Sequence, residues 1–441
     1  MTPIHTFKII TLGCKVNQYE SAYLEEAFLD AGWRRPLPGE TADVAIINTC
    51  IVTQRAAHQS RQAIRKAVRE NPGGVVVAAG CYAQVFPQEL TEIKGIGLIA
   101  GNRAKSKIPD ILRRLETPQE PLVQVDEFSP GEAFECLKIR RFAGRSRAYL
   151  KIQDGCESFC SYCIVPFARG PYRSLPLAQV LSMLGTFAKE GYREVVLTGI
   201  HLGKYGYDLQ GKTDLNALLS AIAGEGFPLR IRLSSLEPNE IDEDLLGLMA
   251  AEPWLCRHLH IPLQSGDDGI LRRMNRRYTA RDFAGLIRTV HDLVPLAAVG
   301  VDILAGFPGE TSTAHHHTVS LIRDLPVSYL HVFPFSPRKG TPAADLNHGN
   351  DPRIIKERAQ ELRELGGCKK QAFYEQCLKK EFQVLAEAWH SREAKIVKGT
   401  SDNYLTVLFP SSVLPDRTFV TVQTERVEGP FAVGSMVSDQ P

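Results

Sequence analysis

The sequence predicts an α/β protein with a small all-β domain at its C-terminal end. Three features carry that reading: a βαβαβ alternation in the N-terminal part, six further apolar strand candidates separated by helix-length stretches, and short alternating runs after about residue 375.

In the first part, "FKIITLGC" is an apolar run ending in Gly-Cys, and "SAYLEEAFLDAG" reads as a helix closed by glycine. "VAIINTC" is a second buried strand, "RAAHQSRQAIRKAVRENPGG" a basic-faced helix with an Asn-Pro-Gly stop, and "VVVAAGC" a third strand. Strands alternating with helices imply a parallel sheet. A proline- and acid-rich stretch follows, then "KIRRFAGRSRAYLK", with six basic residues and no acidic one. The candidates "AYLKIQDGC", "EVVLTGIHL", "RIRLSSLEP", "HLHIPLQSG", "AVGVDILAGFPGE" and "YLHVFPFSP" then predict a partial parallel (β/α)6 barrel, with its chemistry in the loops after the strands. "EFQVLAEAWHS", "AKIVKGTSDNYLTVLFP" and "RTFVTVQTERVEGPFAVGSMV" predict the terminal all-β, OB-like domain. At 441 residues the chain is too long for one ordinary core. Its texture divides at 1–120, a linker at 121–141, 142–374 and 375–441.

The formal net charge of +2 excludes a global polyanion-binding character, so any nucleic-acid surface must be local. No apolar run reaches the ~18 residues of a membrane span, and "MTPIHTFKIITLGC" lacks a signal-peptide pattern. A cytoplasmic protein is expected. Ten cysteines in a reducing compartment point to metal binding rather than disulfides.

Cys156, Cys160 and Cys163 are spaced C-x3-C-x2-C after a strand and a glycine. Thiolates are soft ligands suited to iron–sulfur clusters, and three of them leave one iron of a cubane open. A structural zinc site is the alternative, but such sites usually show paired knuckles and four ligands. Cys14, Cys50 and Cys81 each end a predicted strand. In a parallel sheet these ends share one edge, so the three thiols converge on a second three-ligand site. Three buried cysteines without a ligand are the alternative there.

The C-x3-C-x-aromatic-C pattern, with Tyr162 as the aromatic, resembles the signature of the radical S-adenosylmethionine (SAM) enzymes. The stretches "LGCKVNQYES", "INTCIVT", "AAGCYAQ", "GCESFCSYCIVPFARG", "LTGIHLGKYG", "SSLEP", "HIPLQSGDD", "RRMNRRYT" and "VDILAGFPGET" resemble the methylthiotransferase family, and "KGTSDNYLTV" resembles a TRAM domain. The resemblance spans essentially the whole chain. It implies two [4Fe-4S] clusters, one on Cys156, Cys160 and Cys163 that binds SAM, and an auxiliary one on Cys14, Cys50 and Cys81. No catalytic residue is implied beyond these ligands. Family position points to Gly199, Ser235, Glu237 and Gln264, with Tyr162, Arg169 and Arg173, for cofactor contacts. The "Pro-Tyr" between Arg169 and Arg173 departs from the family's usual charged pair.

The branch most resembled methylthiolates C2 of N6-threonylcarbamoyladenosine (t6A) at position 37 of transfer RNA. The implied partners are the tRNA anticodon loop and an electron donor such as flavodoxin or ferredoxin, with no membrane. Other branches act on N6-isopentenyladenosine 37 or on a ribosomal-protein aspartate. A non-enzyme reading is an iron–sulfur carrier with an RNA-binding tail. Arg140, Arg141, Arg145, Arg147, Arg276 and Arg277 form basic clusters that could follow a phosphate backbone. From Phe373 onward seven Lys/Arg face nine Asp/Glu, so RNA contact there rests on aromatics such as Tyr404. His315, His316 and His317 read as a solvated helix start, His258 and His260 as straddling a barrel strand, and Cys136, Cys256, Cys368 and Cys377 as unliganded thiols.

Overall fold

A computed structural model describes residues 5–114, 120–129, 131–211, 213–346, 349–415 and 417–437. The N-terminal strands are β1 (Phe7–Thr11), β2 (Val44–Thr49), β3 (Val75–Gly80), β4 (Ile96–Ala100) and β5 (Leu122–Gln124). They form one parallel sheet in chain order. Residues of β2 and β3 are buried on both faces, so these strands read as continuous apolar runs rather than alternating ones. Helices α1 (Lys15–Asp30) and α2 (Gln54–Glu70) follow β1 and β2. The stretch read as linker is not free: β5 lies within it and pairs with β4, while Leu137 and Ile139 are buried in the barrel core. Short apolar pairs in a proline- and acid-rich context gave too weak a period to reveal this.

All six barrel candidates are strands: β6 (Arg147–Lys151), β9 (Glu194–Thr198), β10 (Arg230–Leu233), β11 (His258–Gln264), β12 (Ala298–Ala305) and β13 (Tyr329–Pro334). Between the first two, β7 (Gln153–Asp154) and β8 (Arg173–Ser174) make a two-residue antiparallel ladder. The six pair in parallel as two three-stranded sheets, β6-β9-β10 and β11-β12-β13. A single bridge from Ile231 to Leu255 lies at the seam. On β12, Val299, Val301, Ile303 and Ala305 pack outward into the core under the helices, which leaves Gly300, Asp302 and Leu304 on the lumen face. His258 and His260 do not straddle β11: two residues apart, they share its lumen face.

The terminal strands β14 (Glu381–Ser391), β15 (Ile396–Ser401), β16 (Thr406–Pro410), β17 (Phe419–Glu428) and β18 (Phe431–Met436) close into a five-stranded barrel. Its turn after β15 is pressed against the lower end of the central barrel. Arg230 donates to the carbonyls of Gln383 (2.8 Å) and Thr400 (3.0 Å), and Arg232 to those of Asp402 (2.9 Å) and Ser401 (2.8 Å). The helix Ser312–Asp324 carries the histidine run. His315 is buried there and meets Glu361 at 2.7 Å, so it is not a solvated position. His317 meets Asp267 at 2.8 Å.

Candidate active site

Cys14, Cys50 and Cys81 sit just beyond β1, β2 and β3 on the carboxyl edge of the sheet. Polar side chains tie these strand ends together. Asn17 donates to the carbonyls of Leu12 (2.7 Å) and Thr49 (3.0 Å), Thr49 to that of Ala79 (2.6 Å), and Ser60 to that of Cys50 (2.9 Å). Gly13 has φ +92°, and a Cβ there would stand 2.8 Å from the Cys50 Sγ, so only glycine lets the two loops come this close. Burial pushes the Cys50 thiol up to about 12, and the facing Cys81 and Cys14 add to the rise. Burial also raises Cys14, against the opposing charge of Arg169.

The second trio follows β7. Burial, with Cys160 and Cys156 nearby, pushes Cys163 up to about 12. Burial raises Cys160 too, although Arg276 opposes it and donates to its sulfur at 3.3 Å. Cys156 moves the other way, because His201 Nδ1 lies 3.6 Å from its sulfur and outweighs burial. The other ring nitrogen of His201 meets Glu240 at 2.7 Å. Burial alone would lower the His201 pKa, but Cys156 and Glu240 raise it to about 9. His201 was not singled out from the sequence, although it stands two residues past Gly199 in "LTGIHLG".

The trios lie on facing loops. The helix Val165–Arg169, immediately after Cys163, packs Ile164 and Ala168 into the same core as Cys81 and Tyr82. Asn102 bridges them, donating to the carbonyl of Ala168 at 2.6 Å and reaching the Cys81 sulfur at 3.6 Å. Three donors on a single zinc ion would stand about 3.8 Å apart. Among the described residues only His260, Asp302 and His331 bring three ligand atoms within 4.8 Å, so both trios are spread wider than one ion needs. His260 and His331 already meet Asp302 at 2.7 and 3.4 Å.

The surroundings of the first trio favour an anionic inorganic group. Arg169 and Arg338 are buried, act electrostatically on its thiols, and each keeps an Nε without a hydrogen-bond partner. Arg169 donates to Glu20 (2.5 Å) and Asn17 (2.7 Å), and Lys105 and Lys151 also pair with Glu20. Burial would raise the Glu20 pKa, but these cations hold it well below the carboxylate range. Arg173 donates to the carbonyl of Arg169 and stands 3.8 Å from Asp154. Both arginines expected at the cofactor therefore belong to a buried charge network behind the N-terminal trio. The helix after Cys163 points into that domain.

Glu237 lies beside the second trio, held at 2.5 Å by Arg276. With His201, Lys204, Arg277 and Tyr278 they line a cavity of about 80 Å³ next to Cys160. Ser235 is exposed just beyond β10, and Gln264 ends β11 at φ +65°. Gly199 lies against the Gln153 side chain, which accepts from the His201 amide at 2.7 Å. Tyr162 packs against the small core cluster that holds Ile270, Met274 and Phe307.

Several residues expected on an RNA surface are elsewhere. Arg276 is tied to Glu237, Cys160 and Tyr278 rather than presented outward. Arg147 faces inward and pairs with Glu387 at 3.0 Å. Tyr404 is exposed, and its ring also stacks on His258 with centroids 4.2 Å apart, at the junction with the central barrel. Arg140 is exposed but bound to Glu26 and Asp30, and Arg141 to Glu190 at 2.6 Å. Arg145 and Arg277 are exposed.

Residues 6–101 match the model of the uncharacterized protein family UPF0004, and residues 150–322 that of the radical SAM superfamily. The threonylcarbamoyladenosine tRNA methylthiotransferase MtaB of Bacillus subtilis is 35% identical over 97% of this chain and 95% of its own length. The chain belongs to the radical SAM methylthiotransferases. As a member of this family it is an enzyme that works with SAM and iron–sulfur clusters. The MtaB of Aquifex aeolicus is 39% identical over 85% of this chain and 91% of its own. A second methylthiotransferase branch stands further off: the tRNA-2-methylthio-N(6)-dimethylallyladenosine synthase of Pelotomaculum thermopropionicum is 31% identical over 91% of each chain. Among solved structures, the radical SAM methyltransferase TsrM of Kitasatospora setae shares the fold, with TM-score 0.54 over 77% of both chains at 18% identity.

Proposed function

We propose that this protein methylthiolates C2 of t6A at position 37 in the anticodon loop of tRNA. It would work in the cytoplasm with a flavodoxin- or ferredoxin-like electron donor. The observation that carries the reading is the pair of three-cysteine sites on facing loops, in a chain whose full-length relatives are t6A tRNA methylthiotransferases. In the three-part division, 1–120 carries Cys14, Cys50 and Cys81 for an auxiliary [4Fe-4S] cluster. Part 142–374 carries Cys156, Cys160 and Cys163 for the SAM-binding one, and 375–441 closes the barrel's lower end.

When bound, the clusters and SAM supply the one-electron chemistry, the hydrogen-atom abstraction and the sulfur that side chains cannot. The chain's residues do the rest. His201, fixed by Glu240, and Arg276, fixed by Glu237, place hydrogen-bond donors on two thiolates of the SAM-side trio. Glu237, Ser235, Gln264, Gly199 and Tyr162 would supply cofactor contacts on that side. Asn102 fixes the separation of the two loops. Arg277, and Arg145 on its Tyr149 ring, remain as exposed candidates for phosphate contact.

The test uses anaerobically reconstituted enzyme, dithionite, SAM and an anticodon stem-loop carrying t6A37. Nucleoside mass spectrometry should show 2-methylthio-t6A, and an isopentenyladenosine stem-loop should stay unmodified. Release of 5′-deoxyadenosine with the t6A RNA left unchanged would reject the substrate.

A further inference from the structure

One wall of the barrel lumen holds more positive charge than its own partners neutralise. Arg147, Arg230 and Arg232 converge on Glu194, with contacts of 3.8, 2.5 and 2.8 Å. Glu387 adds a second carboxylate, on Arg147 at 3.0 Å. Three guanidinium groups thus face two carboxylates before Lys15 is counted. Lys15, the first residue of α1, stands within electrostatic range of Arg147 and Arg232 and of the Glu194 they share. Among the described residues its ammonium makes no hydrogen bond or ion pair. Four cations here share the carboxylates of Glu194 and Glu387, and a positive excess of this kind is unfavourable unless a further anion joins it. The same wall carries His258, which is 3% exposed and whose Nδ1 has no partner, beneath the ring of Tyr404.

Lys15 directly follows Cys14. In adenine, C2 and the carbon bearing N6 flank the same ring nitrogen. A base whose C2 faces the N-terminal trio therefore extends its N6 substituent along the neighbouring wall. We infer that Lys15, backed by the cation excess of Arg147, Arg230 and Arg232, binds the carboxylate of the N6-threonylcarbamoyl group and so selects an anionic N6 substituent over an apolar one. This rests on the t6A reading above and assigns the residue that enforces it.

The experiment compares two anticodon stem-loops, one with t6A37 and one with its threonyl carboxylate capped as the methyl ester. Both are tested with wild-type holoenzyme and with the Lys15→Met and Lys15→Arg holoenzymes. Kd is read by fluorescence anisotropy and product by mass spectrometry. A buried charged hydrogen bond corresponds to roughly 10- to 100-fold in affinity. Wild type should bind the acid at least about tenfold more tightly than the ester. Lys15→Met should weaken the acid by a similar factor and leave the ester unmoved, with Lys15→Arg recovering most of the loss. Equal wild-type affinity for acid and ester overturns the inference without needing any variant, and so does a Lys15→Met loss equal on both RNAs. Failure of wild type to convert the t6A stem-loop while converting an isopentenyl one would instead reject the substrate reading, so the two failures are distinguishable.

Discussion

Glu194 is 0% exposed and shared by Arg147, Arg230 and Arg232. Burial alone would raise its pKa, but the Arg232 and Arg230 guanidinium groups hold it well below the carboxylate range. Because the folded pKa is depressed, its contribution is complete above the unfolded value of about 4.3 and is lost as pH falls toward the folded one. Replacing it with Gln leaves buried guanidinium groups without their anion, which costs on the order of 3–5 kcal/mol. Urea unfolding at pH 7 should show that loss, and the difference from wild type should shrink in acid. At the cysteines, anaerobic iron analysis should give about eight irons for wild type and about four for the Cys14→Ala, Cys50→Ala, Cys81→Ala triple variant, as two cubane clusters require. The six cysteines were legible because each stands at a strand end or in a tight spacing. Arg276 was not: "RRMNRR" reads as a basic surface, and Glu237, which draws it inward, lies 39 residues earlier. His201 was equally silent, since its two partners come from different loops.

Among the elements, the loop carrying Cys156, Cys160 and Cys163 is fixed at its root by Gly155. Its φ is +79°, and a Cβ there would stand 1.8 Å from the carbonyl oxygen of Pro171. That carbonyl lies two residues before β8, and no side-chain rotation relieves a clash with backbone. Gly155→Ala should therefore displace the cysteine loop while β1 to β5 stay intact. The expected result is a folded protein by far-UV circular dichroism with about four irons rather than about eight. Loss of 5′-deoxyadenosine release would accompany it, and full iron loading would contradict the argument. At this scale the six barrel strands and the three strands ending in cysteine were readable from apolar runs and their turn residues. β5 was not, because a three-residue edge strand in a proline-rich stretch has no measurable period.

Across the whole molecule, the terminal barrel is less a detachable RNA-binding tail than the floor of the central one. The sequence pointed to its aromatics and near-neutral charge, but pairing between distant segments cannot be read from either. Four guanidinium-to-carbonyl bonds cross from Arg230 and Arg232 to residues of β14 and the β15 turn, and Arg257 meets Asp402 at 2.6 Å. Removing 378–441 would leave these groups facing solvent or an open lumen. Hydrogen bonds to charged groups contribute roughly 1.5–3 kcal/mol each, so the loss exceeds several kcal/mol. For a domain of this size that corresponds to a fall in Tm of roughly 10 °C or more. Differential scanning fluorimetry of chains ending at Cys377 and at Pro441, both without RNA, separates the possibilities. An independent tail would leave the Tm of the remaining chain unchanged. A floor should lower it before any RNA is added, and Arg232→Met in the full chain should reproduce part of the fall.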